Sequence, residues 1–189
     1  MRYFVTFLIG IGLVILVIIL LIRAIFGGGG ETPTTQAPIL VDYTNTNVVM
    51  RLTVWSAVEA DQTHQQMRID VSKYSSDIFL YQGYEDTLVK NQSFASNPDA
   101  YSDFLRGLDL LGYTSGDPDE TLADWRGQCP SGTRYVYEII DGSSTVQQYW
   151  SSSCGKDVPG TFEGDVSGVN NLFEAQIPEF GEFTENTNF

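Results

Sequence analysis

Alternation of apolar and polar residues predicts a mainly β region in the middle of the chain. Five runs have the period of two that is typical of half-buried strands, namely Val48–Val58, Met67–Lys73, Ile78–Tyr81, Tyr135–Ile140 and Thr145–Trp150. Asp141 and Gly142 separate the last two runs. Because these two residue types accept the positive φ of a tight turn, they predict a β-hairpin.

Other segments carry helix signals. An Asn-Pro-Asp start at 97–99 supplies a cap, a proline in the first turn and an acid at the positive end of the helix dipole. The apolar residues that follow share one helical face, namely Tyr101, Phe104, Leu105, Leu108 and Leu111. Residues 117–120 repeat that start as a capping box, and a third helix is predicted from Val166 to Gln176. We therefore expect an α+β fold with one antiparallel sheet and about three helices.

The order strand, turn, strand, helix occurs twice, within 68–104 and within 134–169. Arg68 then aligns with Arg134, and Tyr81 aligns with Tyr149. This similarity raises the hypothesis of a duplicated strand–strand–helix unit.

A different pattern marks the N-terminus, where residues 3–22 contain no charged side chain. A helix of that length spans about 30 Å, the thickness of a hydrocarbon core. We expect a transmembrane signal-anchor over 1–26 that contacts the lipid bilayer through 3–22, then a flexible Gly/Pro/Thr linker over 27–38. A cleaved signal peptide is the alternative, but residues 23–26 do not form a small-x-small cleavage site.

The distribution of charge along the chain indicates on which side of the membrane the domain lies. Eight basic and 24 acidic side chains follow residue 30, which gives that part a formal charge of −16. After Arg23 the next basic residue is Arg51, and translocated segments tend to lack positive charge near the membrane. We expect a cytoplasmic N-terminus, an extracytoplasmic domain over 39–180 and an acidic mobile tail over 181–189. The same charge repels phosphate and disfavours nucleic acid as a partner.

Cys129 and Cys154 are the two cysteines, and they are 25 residues apart. This spacing differs from a Cys-x-x-Cys redox motif and predicts a structural disulfide around the second hairpin.

Catalytic and metal-binding motifs are sparse. His64 is the single histidine, so one chain cannot assemble a multi-histidine metal site, and its polar surroundings predict an exposed loop residue. The acids Asp117, Asp119, Glu120 and Asp124 lack the spacing of an EF-hand and fit helix capping better. No catalytic set, metal site or cofactor is predicted.

Aromatic side chains are the remaining signal. Aromatics on an exposed sheet face can stack on sugars or contact a partner protein, although core packing accounts for most strand aromatics. The candidate binding surface comprises Tyr81, Tyr135, Tyr137, Tyr149 and Trp150.

The last third of the chain resembles uncharacterised single-pass membrane proteins of small-genome candidate-phyla bacteria. The similar segments are RGQCPSGTRYVYE (126–138), YWSSSCG (149–155), GTF (160–162), LF (172–173) and QIP (176–178). The resemblance implies a bacterial envelope setting and no particular chemistry. The leading hypothesis is a tethered envelope domain that binds a protein or glycan; the alternatives are a carboxylate-dependent envelope hydrolase and an accessory subunit of a membrane complex.

Overall fold

The computed structural model of the chain describes residues 39–118, 123–158, 160–187 and 189. The predicted anchor (1–26) and linker (27–38) lie outside these residues. Among the residues described, no helix has the length and apolar character needed to cross a bilayer. The described residues from Ile39 onward belong to one compact unit.

One antiparallel sheet forms the centre of this unit. Its strands are β1 (Val49–Trp55), β2 (Gln65–Val71), β3 (Ser75–Gln82), β4 (Thr87–Ala95), β5 (Arg134–Asp141) and β6 (Ser144–Ser152). They are ordered β4–β3–β2–β1–β5–β6, so β1 is central and two hairpins flank it. The β5–β6 hairpin turns at Gly142 with φ 60°, as the Asp-Gly pair predicts.

Three α-helices occur in the described residues: α1 (Pro98–Leu110), α2 (Val166–Glu174) and α3 (Phe180–Phe183). Two short 3₁₀ helices, Leu40–Asn45 and Gly155–Asp157, accompany them. Asn97 caps α1 by accepting hydrogen bonds from the N–H groups of Asp99 and Ala100, as predicted. These elements confirm the α+β fold class.

The helices pack on one face of the sheet, the covered face, and the domain core lies between them. Side chains from alternate strand positions meet apolar residues of the helices there, and this set includes Met50, Leu52, Ile69, Ile78, Tyr137, Leu105, Leu108 and Phe173. Tyr113 connects β1 to β5, because its buried hydroxyl lies 2.9 Å from both the Arg51 and Glu138 carbonyl oxygens. The opposite face, here called the open face, carries no helix among the described residues.

The structure corrects several expectations. β4 was missed because it is polar and exposed, as an edge strand can be. The second helix start falls partly on 119–122, outside the described residues, and Asp117 and Pro118 before them are not helical. The predicted mobile tail (181–189) packs on the domain at Phe183. This residue is buried against the core, and the Lys90 ammonium lies over its ring.

The sheet shows where the residues aligned in the repeat hypothesis lie. The two hairpins do flank β1, but Tyr81 pairs with Gln66 on the open face whereas Tyr149 pairs with Tyr137 on the covered face. Tyr81 and Tyr149 therefore do not occupy equivalent positions, whereas Arg68 and Arg134 each pair with an open-face residue of β1.

Candidate functional site on the open sheet face

Cross-strand pairing brings polar residues from three strands together on the open face. Thr53 of β1 pairs with Arg68 of β2, and Arg51 pairs with both Asp70 of β2 and Glu138 of β5. Side chains of paired residues lie on the same side of a sheet. The result is a polar surface across the middle of the sheet rather than at its edge.

A shallow cavity of about 160 Å³ lies over this surface. We call it the open-face basin, and its principal lining residues are Arg51, Trp55, Gln66, Arg68, Trp125 and Glu138. Planar polar groups and indole rings thus share one shallow site.

The two arginines of the basin differ in their bonding. Arg51 makes a two-pronged ion pair with Asp70, with Nε–Oδ1 and Nη2–Oδ2 distances of 2.7 and 2.9 Å. Arg68 approaches the same carboxylate at only 3.5 Å and makes no hydrogen bond to a described residue. Its guanidinium instead lies over the Phe79 ring, 4.4 Å from the centroid. Arg68 therefore keeps hydrogen-bond donors available beside a charge that Asp70 neutralises only in part.

Glu138 supplies a carboxylate on the opposite side of the basin. Burial raises the pKa of Glu138 above its ordinary value, because a low-dielectric environment disfavours the charged form. The positive charge of Arg51 opposes this shift and offsets only part of it. Glu138 makes no hydrogen bond or ion pair to a described side chain, so its oxygens can accept hydrogen bonds from a ligand.

Gln66 places an acceptor without a partner at the basin. The residue is only 7% exposed, and its Oε1 is buried with no hydrogen-bond partner among the described residues. Leaving such a group unsatisfied costs roughly 1–3 kcal/mol. A ligand that donates a hydrogen bond to this oxygen would recover that free energy on binding.

Indole rings form one wall of the basin. The Trp55 and Trp125 rings have centroids 4.7 Å apart and are tilted by 41°. Trp125 comes from the segment after residue 122, which the Cys129–Cys154 disulfide and the hydrogen bond from Val58 N–H to the Pro130 carbonyl oxygen hold beside the sheet. The S–S distance is 2.04 Å, which confirms the predicted pairing. The disulfide therefore supports one wall of the site.

His64 corrects the prediction of an exposed loop residue, since it is completely buried. Its ring lies between Trp55 and Tyr84, with centroid distances of 5.7 and 4.1 Å. The Nδ1 atom is 3.2 Å from the Ala57 carbonyl oxygen, which can only accept, so Nδ1 carries the proton and donates. The polar residues around His64 in sequence concealed this burial.

A buried cluster links His64 to Arg134 through Ser56. Nδ1 of His64 lies 3.2 Å from the Ser56 hydroxyl, and the Arg134 guanidinium donates to the Ser56 carbonyl oxygen. Burial lowers the pKa of Arg134, the direction expected for a desolvated cation. Ser56 is 4% exposed and already accepts from the Gln65 N–H, so it is badly placed to act as a nucleophile. This cluster supports the Trp55 end of the basin.

The structure does not bring the five predicted surface aromatics together. Tyr81 stands on the open face, where its ring lies 5.3 Å from the Arg68 guanidinium. Tyr137 is fully buried and Trp150 is 4% exposed, so neither contributes to an accessible surface. Tyr135, Tyr137 and Tyr149 belong to the covered face, and the prediction of one aromatic surface is corrected accordingly.

Tyr135 instead lines a second cavity, of about 320 Å³, on the covered face beneath the C-terminal segment. Burial raises the pKa of Tyr135 and of Glu174, which also lines it. Asn170 of the same cavity already accepts a 2.9 Å hydrogen bond from the Tyr137 hydroxyl. Unlike the basin, this cavity presents no polar atom that is both buried and unpartnered among the described residues.

Within the described ranges, no group of histidine, cysteine, aspartate and glutamate side chains is arranged to hold a metal ion. In comparisons with known proteins, no protein-family model matches the chain and no curated protein matches it.

Sequence reasoning missed the basin because its residues come from separate strands. Arg51, Thr53 and Trp55 alternate with buried apolar residues along β1, and this is the signal that could have indicated a polar second face. Only strand register shows that Gln66, Arg68 and Glu138 join them.

Proposed function

We propose that this chain is a membrane-tethered binding domain of the bacterial envelope that binds a glycan through its open-face basin. The observation that carries the proposal is the lining of the basin: donors from Arg68, acceptors from Gln66 and Glu138, and an indole wall. Sugars present vicinal hydroxyl groups along their edges and apolar C–H groups on their faces. The first match planar polar side chains, and the second match aromatic rings.

The address of the domain is part of this proposal. Residues 3–22 serve as a single-pass anchor, 27–38 as a flexible linker, and the N-terminus remains in the cytoplasm. The uncharged N-terminal run and the acidic composition of the rest support this arrangement. The Cys129–Cys154 disulfide supports an oxidising compartment outside the cytoplasm.

A glycan array with the fragment 37–189 tests the proposal, because these residues form a compact unit with its own core. We expect binding to envelope glycans that falls at least about ten-fold in Trp125→Ala, since that change removes one of the two indole rings of the wall. The matched control is Tyr74→Ala, which removes an aromatic ring that is 63% exposed and does not line the basin. Equal loss in both variants, or no glycan binding, would contradict the proposal.

A carboxylate-dependent hydrolase is the second candidate, because Glu138 has the raised pKa of a general acid. Asp70 argues against it as the partner base, since Arg51 occupies both of its oxygens. Hydrolysis of an envelope glycan that disappears in Glu138→Gln would favour the enzyme. Retained binding without turnover would favour the binding domain.

A further inference from the structure

The basin combines an acceptor and a donor at a fixed spacing. Gln66 and Arg68 are two residues apart on β2, so their side chains emerge on the same face about 7 Å apart along the strand. The Gln66 Oε1 needs a donor, and Arg68 has donors without hydrogen-bonded partners among the described residues. A ligand group that fits between them must therefore donate at one end and accept at the other.

An apolar contact stands beside this pair. Trp55 is the direct cross-strand partner of Gln66, and Trp125 lies against Trp55. A small apolar group attached to the ligand's polar pair would therefore lie against the indole wall.

A secondary amide with a methyl group meets all three requirements. Its N–H can donate to Gln66 Oε1, its carbonyl oxygen can accept from Arg68, and its methyl group can contact the indole rings. A single hydroxyl group cannot pair with both Gln66 and Arg68 and also make an apolar contact with the indole wall. Extended peptides are less suited, because the middle of a sheet offers no free backbone groups for pairing.

We propose that the open-face basin recognises the 2-acetamido group of N-acetylated sugars, with Gln66 and Arg68 as its specificity-determining residues. The inference rests on the proposed glycan-binding function and names the class of sugar for that same site. The expected partner is a glycan built from 2-acetamido sugars.

Binding of two matched trisaccharides to the fragment 37–189 tests this assignment by calorimetry. β1,4-linked N-acetylglucosamine and β1,4-linked glucose trimers differ only in the acetamido or hydroxyl group at C2. We expect the acetamido trimer to bind at least about ten-fold more tightly, since a site built to pair a polar group rejects an analogue that lacks it. In Gln66→Met the two trimers should bind about equally, because the acceptor is removed while the side-chain shape is kept.

Control variants show whether the preference depends on Gln66 itself. Gln66→Met should fold, since it removes a buried acceptor that has no partner, and a melting curve checks this. Gln92→Met changes an exposed glutamine of β4 and should leave the preference intact. If Gln66→Met does not fold, the preference of the unaltered protein for the acetamido trimer still tests the inference. Arg68→Lys then serves as the second variant: it loses the planar donor pair, and the preference should fall.

Several results would overturn the inference. Equal binding of the two trimers, or binding only of a glycan without acetamido groups, overturns it while leaving the proposed glycan function in place. Equally tight binding of an N-acetylated dipeptide amide overturns it in favour of a peptide ligand. Absence of binding to any envelope glycan overturns both proposals.

Discussion

At the residue scale, the basin contains polar groups that lower the stability of the unliganded domain. Gln66 has a buried acceptor without a partner, and Glu138 keeps a carboxylate where burial disfavours its charge. Such groups lower the free energy of unfolding unless a ligand compensates them. Sites of this kind are typical of functional surfaces rather than of packing.

Glu138→Gln should stabilise the domain at neutral pH. The folded-state pKa of Glu138 is raised by burial, so its protonated form is the favourable one in the fold. Stability linked to Glu138 is therefore full below the unfolded pKa of about 4.3 and declines as pH rises through the folded value. Melting temperatures should show a gain for Glu138→Gln at pH 7 that vanishes near pH 4.

The control for this variant is Glu85→Gln, which changes an exposed carboxylate between β3 and β4. The same Glu138→Gln protein should bind glycan more weakly, because one acceptor has lost its charge. A gain in melting temperature that persists at pH 4 would contradict the assignment to Glu138.

Tyr113→Phe should destabilise the domain by about 1–2 kcal/mol, since it removes a buried hydroxyl from the carbonyl oxygens of Arg51 and Glu138. Burial raises the pKa of Tyr113 well above its ordinary value, so the hydroxyl remains a donor at working pH. Urea unfolding measures the change. Tyr74→Phe, at an exposed position, should be neutral, and similar losses in both variants would contradict the role given to Tyr113.

At the scale of elements, local signals predicted the parts of the fold that depend on local chemistry. Asn97 ahead of a proline defines the start of α1, and Asp165 caps α2 by accepting from the Gly168 N–H. The Asp-Gly pair at 141–142 fixes the β5–β6 turn. Caps and turns act over three or four residues, so the sequence alone can indicate them.

Elements that depend on distant partners were not predictable in this way. β4 has an exposed, mostly polar sequence and is a strand because β3 offers it an edge. His64 is buried because Trp55 and Tyr84 close over it, and they come from other parts of the chain. The basin also depends on distant partners, because the register of the strands, and not spacing along the sequence, brings its residues together.

Removal of the disulfide should affect both stability and binding. The chain-entropy estimate for a loop of this size is about 3 kcal/mol, so Cys129→Ala with Cys154→Ala should lower the free energy of unfolding by roughly that amount. Because Trp125 lies shortly before Cys129, in the segment that the disulfide holds beside the sheet, glycan affinity should fall in the folded variant. Calorimetry under conditions where the variant remains folded measures the affinity. Unchanged affinity would contradict the link between disulfide and indole wall.

At the scale of the whole molecule, the proposed arrangement joins an acidic domain to a membrane anchor. A net formal charge of −14 keeps the chain away from anionic polymers and leaves neutral glycans as compatible ligands. A tether with a flexible linker raises the effective concentration of such a domain near envelope polymers.

The full chain should fractionate with membranes and resist alkaline extraction, whereas the fragment 37–189 should not. Protease added outside intact spheroplasts should remove the domain, since the proposed orientation places it on the extracytoplasmic side. Recovery of the full chain in the soluble fraction would contradict the anchor, and protection from external protease would contradict the orientation.

The most direct test of glycan binding at the open face is in-cell photo-crosslinking from the full tethered chain. Photo-reactive residues at Tyr81 and Gln148 would report on the open face, and residues at Leu110 of α1 and Val89 of β4 would serve as exposed controls. We predict recurrent glycan adducts from the two open-face positions and background levels from the controls. Adducts concentrated at Leu110 or Val89 would contradict this prediction and place the binding surface elsewhere on the domain.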